Sequence, residues 1–148
     1  MKLIQWFSFL FLIGMAGSSM GCAMMRHESK VGVTDGRLQP CPPYPRCVSS
    51  QSEDPAKFIE PLAYDGNTSA AMSRLKTILD GMKNSRLIRE DSHYLHYEFR
   101  TSFWKFTDDV EIYADELAKQ IHFRSSSRIG YYDFKTNRKR IEAIQRQF

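Results

Sequence analysis

Over residues 94–103 the chain alternates: Leu95, Tyr97, Phe99, Thr101 and Phe103 share one side, and His96, Glu98, Arg100 and Ser102 the other. That two-residue period belongs to a strand with one buried face. It returns twice. Val110 and Ile112 alternate with Asp109, Glu111 and Tyr113, and Ile121 and Phe123 alternate with Gln120, His122 and Arg124. Residues 87–91 predict a further strand ahead of these. Short connections at 105–108 and 115–118 make an antiparallel meander the economical topology.

The period changes to that of a helix on either side of this centre. Met72, Leu75, Ile78, Leu79 and Met82 recur at helical spacing behind the cap candidates Asn67, Thr68 and Ser69, which predicts an amphipathic helix over residues 68–83 with a core-facing stripe. A second helix is expected from Thr136 onward. Its apolar positions are Ile141, Ile144 and Phe148, with Lys135, Arg138, Lys139, Arg140 and Arg146 on the remaining surface. Residues 58–64 suit an edge strand, since Pro61 cannot donate to a central ladder. An open sheet face needs cover, and the two helices supply it. The expected fold is therefore α+β: an antiparallel β-sheet meander with two helices packed on one face.

The first 21 residues follow a different rule. One charge, Lys2, precedes an apolar run over residues 6–16 and then the small residues Gly17, Ser18, Ser19 and Gly21, the pattern of an export signal. About eleven apolar residues fall short of the ~20 that span a bilayer core. Residues 22–39 carry Arg26, His27, Glu28 and Lys30 with no apolar period, and read as a flexible tether. The domain proper is expected over residues 40–148.

Export leads to an oxidising compartment, where paired thiols persist. The chain has three Cys. Cys41 and Cys47 flank Pro42, Pro43 and Pro45, whose restricted φ holds a tight loop, and a disulfide there would stabilise by about 2 kcal/mol in the chain-entropy account. Two reduced buried thiols are the alternative; a metal site is weaker, because no further ligands stand nearby. Cys22 follows Ser19, Met20 and Gly21, which resembles the lipobox of bacterial lipoproteins. That resemblance implies acylation of Cys22 and, since Ala23 is not Asp, transport to the outer membrane. Ser19 stands where the motif usually has an aliphatic residue, so ordinary cleavage to a soluble product is the competing route.

Composition narrows the function classes. The 148 residues carry 21 Lys+Arg against 17 Asp+Glu, with 42% hydrophobic and 13% aromatic residues, which excludes a disordered tail, a collagen-like chain and a coiled coil. Without residues 1–21, whose one charge is Lys2, the balance is 20 against 17, too modest for a nucleic-acid partner in an exported protein. No nucleotide loop or zinc spacing is present, and no cofactor is implied.

Three uses of the polar sheet face compete. Pairing apolar positions across the turns sets Phe103 beside Val110 and Thr101 beside Ile112, then Ile112 beside Ile121 and Val110 beside Phe123. That register puts Glu111 beside His122 and Asp109 beside Arg124, a solvated face of matched charges. Alternatively His96, His122, Glu98 and Glu111, with Asp109, form a metal or acid/base site. Finally, Arg124, Arg128, Arg138 and Arg140, with Lys139 and the hydroxyls of Ser125, Ser126 and Ser127, form an anion site oriented by Asp109 and Asp133. Against that last reading stands internal pairing of the arginines with Asp108, Asp109, Asp133 and Glu142.

Several segments together resemble one family, the domain of unknown function 1499 of bacteria and plants. They are Cys41-Pro42 through Cys47-Val48-Ser49-Ser50-Gln51, Pro61-Leu62, Asp108-Asp109-Val110-Glu111, the run from Arg124 to Tyr131, and the run from Asn137 to Glu142. Tyr44, Arg46, Ser126 and Tyr132 depart from the family pattern. The resemblance implies one small domain and assigns no reaction. The expected role is an envelope lipoprotein, anchored through its N-terminus on the periplasmic side. Its body would bind an anionic lipid, a polysaccharide or an envelope protein; a hydrolase on the polar sheet face is the alternative.

Overall fold

A computed structural model describes residues 30–101 and 106–148. The export segment, Cys22, Ser102, Phe103 and Lys105 lie outside the described residues. In chain order the elements are β1 (Val33–Thr34), β2 (Arg37–Leu38), β3 (Cys47–Ser49), β4 (Leu62–Ala63), α1 (Thr68–Asp80), β5 (Ser85–Asp91), β6 (Tyr94–Arg100), β7 (Thr107–Asp115), β8 (Gln120–Ser127) and α2 (Thr136–Gln147). The alternating segments pair as a consecutive antiparallel meander, and the sheet runs β3-β8-β7-β6-β5, with β4 also on β8. β1 and β2 make a separate hairpin.

Both helices start at identifiable caps and pack on one sheet face. Asn67 Oδ1 accepts from the amides of Ser69 at 2.7 Å and Ala70 at 3.3 Å, opening α1, a cap of the kind that stabilises by about 1 kcal/mol. For α2 the carboxylate of Asp133 accepts from the amides of Lys135 and Asn137. Phe134 and Lys135 ahead of it both adopt left-handed backbone, φ 55° and 62°. Met72, Leu75 and Leu79 from α1 meet Ile141 and Ile144 from α2 over Leu95, Tyr97, Phe99, Val110, Ile112, Ile121 and Phe123. The α+β expectation, a meander with two helices on one face, is what the protein forms.

The register differs from the expected one on both sides of β7. Val110 faces Tyr97 and Ser125, and Ile112 faces Leu95 and Phe123, because the β6–β7 connection is longer than expected, residues 101–106, and the β7–β8 connection lies at residues 116–119. The Thr101 amide donates to the Phe106 carbonyl and the Phe106 amide to Thr101 Oγ1, both at 2.9 Å. At the other end Asp115 Oδ1 accepts from the amides of Leu117 and Ala118, and Lys119 takes left-handed φ. Each slip is an even number of residues. The inward set therefore stays inward, and only the polar neighbours change.

Two further segments depart from the expectation. Part of the expected tether is ordered: residues 33–38 form the β1–β2 hairpin, and Leu38 is buried. Residues 125–127, expected only as hydroxyls of an anion site, continue β8, where β3 pairs with them through Cys47↔Ser126 and Val48↔Ser125. Cys41 and Cys47 are joined as a disulfide with Cα atoms 5.7 Å apart, which brings the proline loop to the sheet edge. Among the described residues no helix is long and apolar enough to cross a membrane.

Candidate functional site

Period-two alternation delivers His96 and Glu98 from β6, Asp109 and Glu111 from β7, and Arg124 from β8 to the sheet face opposite the helices. The expected solvated face is instead buried: Asp109 and Glu111 are 0% exposed and Arg124 is 3% exposed. Burial of charge is tolerated where each group is paired and hydrogen-bonded, and each carboxylate of this face has a cationic partner, although Arg124 Nε is buried without a hydrogen-bond partner. Glu111 accepts from Arg124 Nη1 at 2.6 Å, from the Tyr94 hydroxyl at 2.8 Å and from the Gly32 amide at 2.6 Å. The last bond ties the chain just ahead of the β1–β2 hairpin onto the face.

A second cluster adjoins it. Asp109 takes a two-point contact from Arg128, Nε at 2.9 Å and Nη2 at 2.6 Å, and its Oδ1 lies 2.8 Å from His96 Nε2. Arg128 also reaches Glu98 Oε1 at 2.7 Å, and Arg86 holds Glu98 Oε2 at 2.6 Å. Burial alone would raise the Glu98 pKa, but the hydrogen bonds from Arg86 and Arg128 outweigh it and hold the carboxyl below its ordinary range. The same contacts, Asp109 first, hold the Arg128 guanidinium above its usual value. Three carboxylates and three guanidiniums balance across the face.

The helix-side polar cluster centres on Asn137, which is 0% exposed. Its Oδ1 accepts from Ser125 Oγ and Arg140 Nη1, and its Nδ2 donates to the Arg46 carbonyl and to Ser127 Oγ. Arg140 also binds Asp108 Oδ2 at 2.6 Å. Arg46 is almost fully buried, donates from Nη1 to the Gly130 carbonyl and leaves its Nε without a partner. Burial lowers its pKa.

The structure therefore separates the expected anion site. Arg124 and Arg128 serve one sheet face; Ser125, Ser127, Arg138 and Arg140 serve the other. Arg124, Arg128 and Arg140 are neutralised by Glu111, Asp109 with Glu98, and Asp108 respectively. Arg138 donates to the carbonyls of Ala56 and Phe58. Internal pairing prevails because the residues alternate along β8, so neighbours in sequence point to opposite faces.

The acid/base set shares a face but forms no open cleft. His96 and Glu111 are cross-strand neighbours, yet each is engaged with another partner. His122 lies 3.1 Å from Ser50 Oγ through Nδ1 and stacks on Tyr113. Among the described residues no group of three His, Cys, Asp or Glu is placed to hold a metal.

Lys83 and Arg100, absent from the sequence-based site, line a groove with Lys139 and Arg140. No local pattern marks them. Lys83 lies in the turn after α1 and Arg100 ends a strand, and only the folded chain sets them together. A family model described as a protein of unknown function (DUF1499) matches residues 37–148. No curated protein and no solved structure matches the chain.

Proposed function

The chain belongs to the DUF1499 family, and from that premise we propose that it is an exported envelope lipoprotein whose folded body is a binding or assembly module at a membrane surface. The Cys41–Cys47 bridge carries the reading: disulfides persist in oxidising compartments, and residues 1–21 have the pattern of an export segment. With Cys41 and Cys47 joined, Cys22 is the remaining one of the three Cys and follows that segment directly. Acylation at Cys22 gives the anchor, on the periplasmic side and at the outer membrane; several acyl chains hold a protein stably where one does not. Nine residues of chain from Cys22 to Val31 reach at most about 30 Å, so the body works close to the bilayer. Its partner is anionic, a lipid, polysaccharide or envelope protein.

The test is fractionation after metabolic labelling with a palmitate analogue. Cys22→Ser is expected to abolish acyl incorporation and to release the protein from membranes. Attachment and labelling equal to wild type would sink the proposal.

A further inference from the structure

At the end of the sheet where β6 closes, three elements contribute cations to one groove. Lys83 comes from the turn after α1, Arg100 from the last position of β6, and Lys139 and Arg140 from α2. The groove has a volume of about 330 Å³, and Met82 and Phe99 supply its apolar part. The Arg100 amide donates to the Asn84 carbonyl at 3.1 Å, which locks the strand end against the turn that bears Lys83. Arg140 is neutralised by buried Asp108. The side chains of Lys83, Arg100 and Lys139 have no hydrogen-bond or ion-pair partner among the described residues.

Three other grooves of the described residues mix the two signs of charge. A larger groove sets Glu53 and Asp54 among Arg37 and Lys57; another sets Asp54 and Asp133 among Lys57, Lys135 and Arg138; a third sets Asp91 beside Arg89. Only the groove at Arg100 gathers cations with no acidic residue in its lining, among these four. Like charges held together repel, and an uncompensated cluster in a concavity focuses positive potential on whatever enters. Three unpaired cations from three directions suit a group with several anionic oxygens better than a carboxylate, which offers two. A volume near 330 Å³ lies at the small end of ligand pockets and admits one compact headgroup.

We propose that the groove formed by Lys83, Arg100, Lys139 and Arg140 binds a phosphate group, free or carried on a phospholipid headgroup. The proposal rests on the reading of the body as a binding module and is independent of the anchor at Cys22. Arg140 positions the site through Asp108, while the three unpaired cations meet the phosphate.

The full chain in neutral detergent micelles is titrated with inorganic phosphate, and separately with phosphatidylglycerol doped into the micelles, while the amide resonances of Lys83, Asn84 and Arg100 are followed. Saturable shifts with phosphate are expected. They should weaken at least about tenfold in the variant K83A/R100A/K139A, and between low salt and about 0.5 M salt. Stronger binding to the doped micelles than to phosphate assigns a lipid source, and the converse a free one; either supports the site. Because the three side chains are exposed and unpartnered, the thermal midpoint of the variant is expected to stay near that of wild type. Lys83→Gln alone repeats the test should the triple variant melt early. No saturable shift with either probe, or equal affinity in wild type and variants, overturns the proposal. Cys22→Ser leaves the titration unchanged, so failure of the anchor and failure of the groove are told apart.

Discussion

Asn137 shows how much one side chain can hold. It stands at the second position of α2, fully buried, and satisfies two serine hydroxyls on β8, the Arg46 carbonyl and the Arg140 guanidinium. Removing it leaves several buried polar groups unpaired, each costing about 1–3 kcal/mol. Asn137→Ala is therefore expected to destabilise by about 3 kcal/mol in denaturant unfolding, with Ser125→Ala well below that. A loss under 1 kcal/mol would mean that water replaces the amide. The sequence singles out the neighbours Arg138 and Arg140 by their charge, whereas Asn137 carries none and appears there only as part of a motif. Its importance comes from burial, which a single sequence does not display.

At the scale of elements, strand identity and face were legible because a strand's period is short and regular. Leu95, Tyr97 and Phe99 face the helices as their alternation requires, and α1 begins at Thr68 behind Asn67, one of its three cap candidates. Register was not legible, because a slip of two residues preserves every inward position and costs nothing in the pattern. The β1–β2 hairpin was not legible either: each of its strands has two residues, too few for any period. Gln51 secures it, accepting from the Leu38 amide at 2.8 Å and donating to the Gly36 carbonyl at 3.0 Å. Gln51→Ala is expected to speed hydrogen exchange at Leu38 by roughly tenfold, about 1.4 kcal/mol of local opening, with amides of β7 unaffected. Equal exchange in both proteins would show that the hairpin is held by packing alone.

For the whole molecule, pH is the sensitive variable. Burial holds the His122 imidazole below its ordinary 6.5, so the unfolded chain binds the proton first as pH falls. The stability His122 contributes is complete above about 6.5 and is lost as pH drops through the folded-state value. Glu98, also lowered, acts in the same direction from its ordinary 4.5 downward. The thermal midpoint is expected to fall on going from pH 7 to pH 5.5, and His122→Gln to flatten that slope while leaving the decline below pH 4.5. A profile unchanged by the substitution would remove His122 from the account.

Local chemistry settles what depends on near neighbours along the chain: the alternation of β6 to β8, the apolar stripes of α1 and α2, and the Cys41–Cys47 loop stiffened by its prolines. Tertiary structure decides what depends on partners far apart. It paired Arg124 with Glu111 and Arg128 with Asp109, burying a face whose pattern reads as wet, and it left Lys83, Arg100 and Lys139 together without a carboxylate. The physical reason is that charge does not announce its counter-charge: a guanidinium looks alike in sequence whether it meets an anion inside the fold or waits for one outside it.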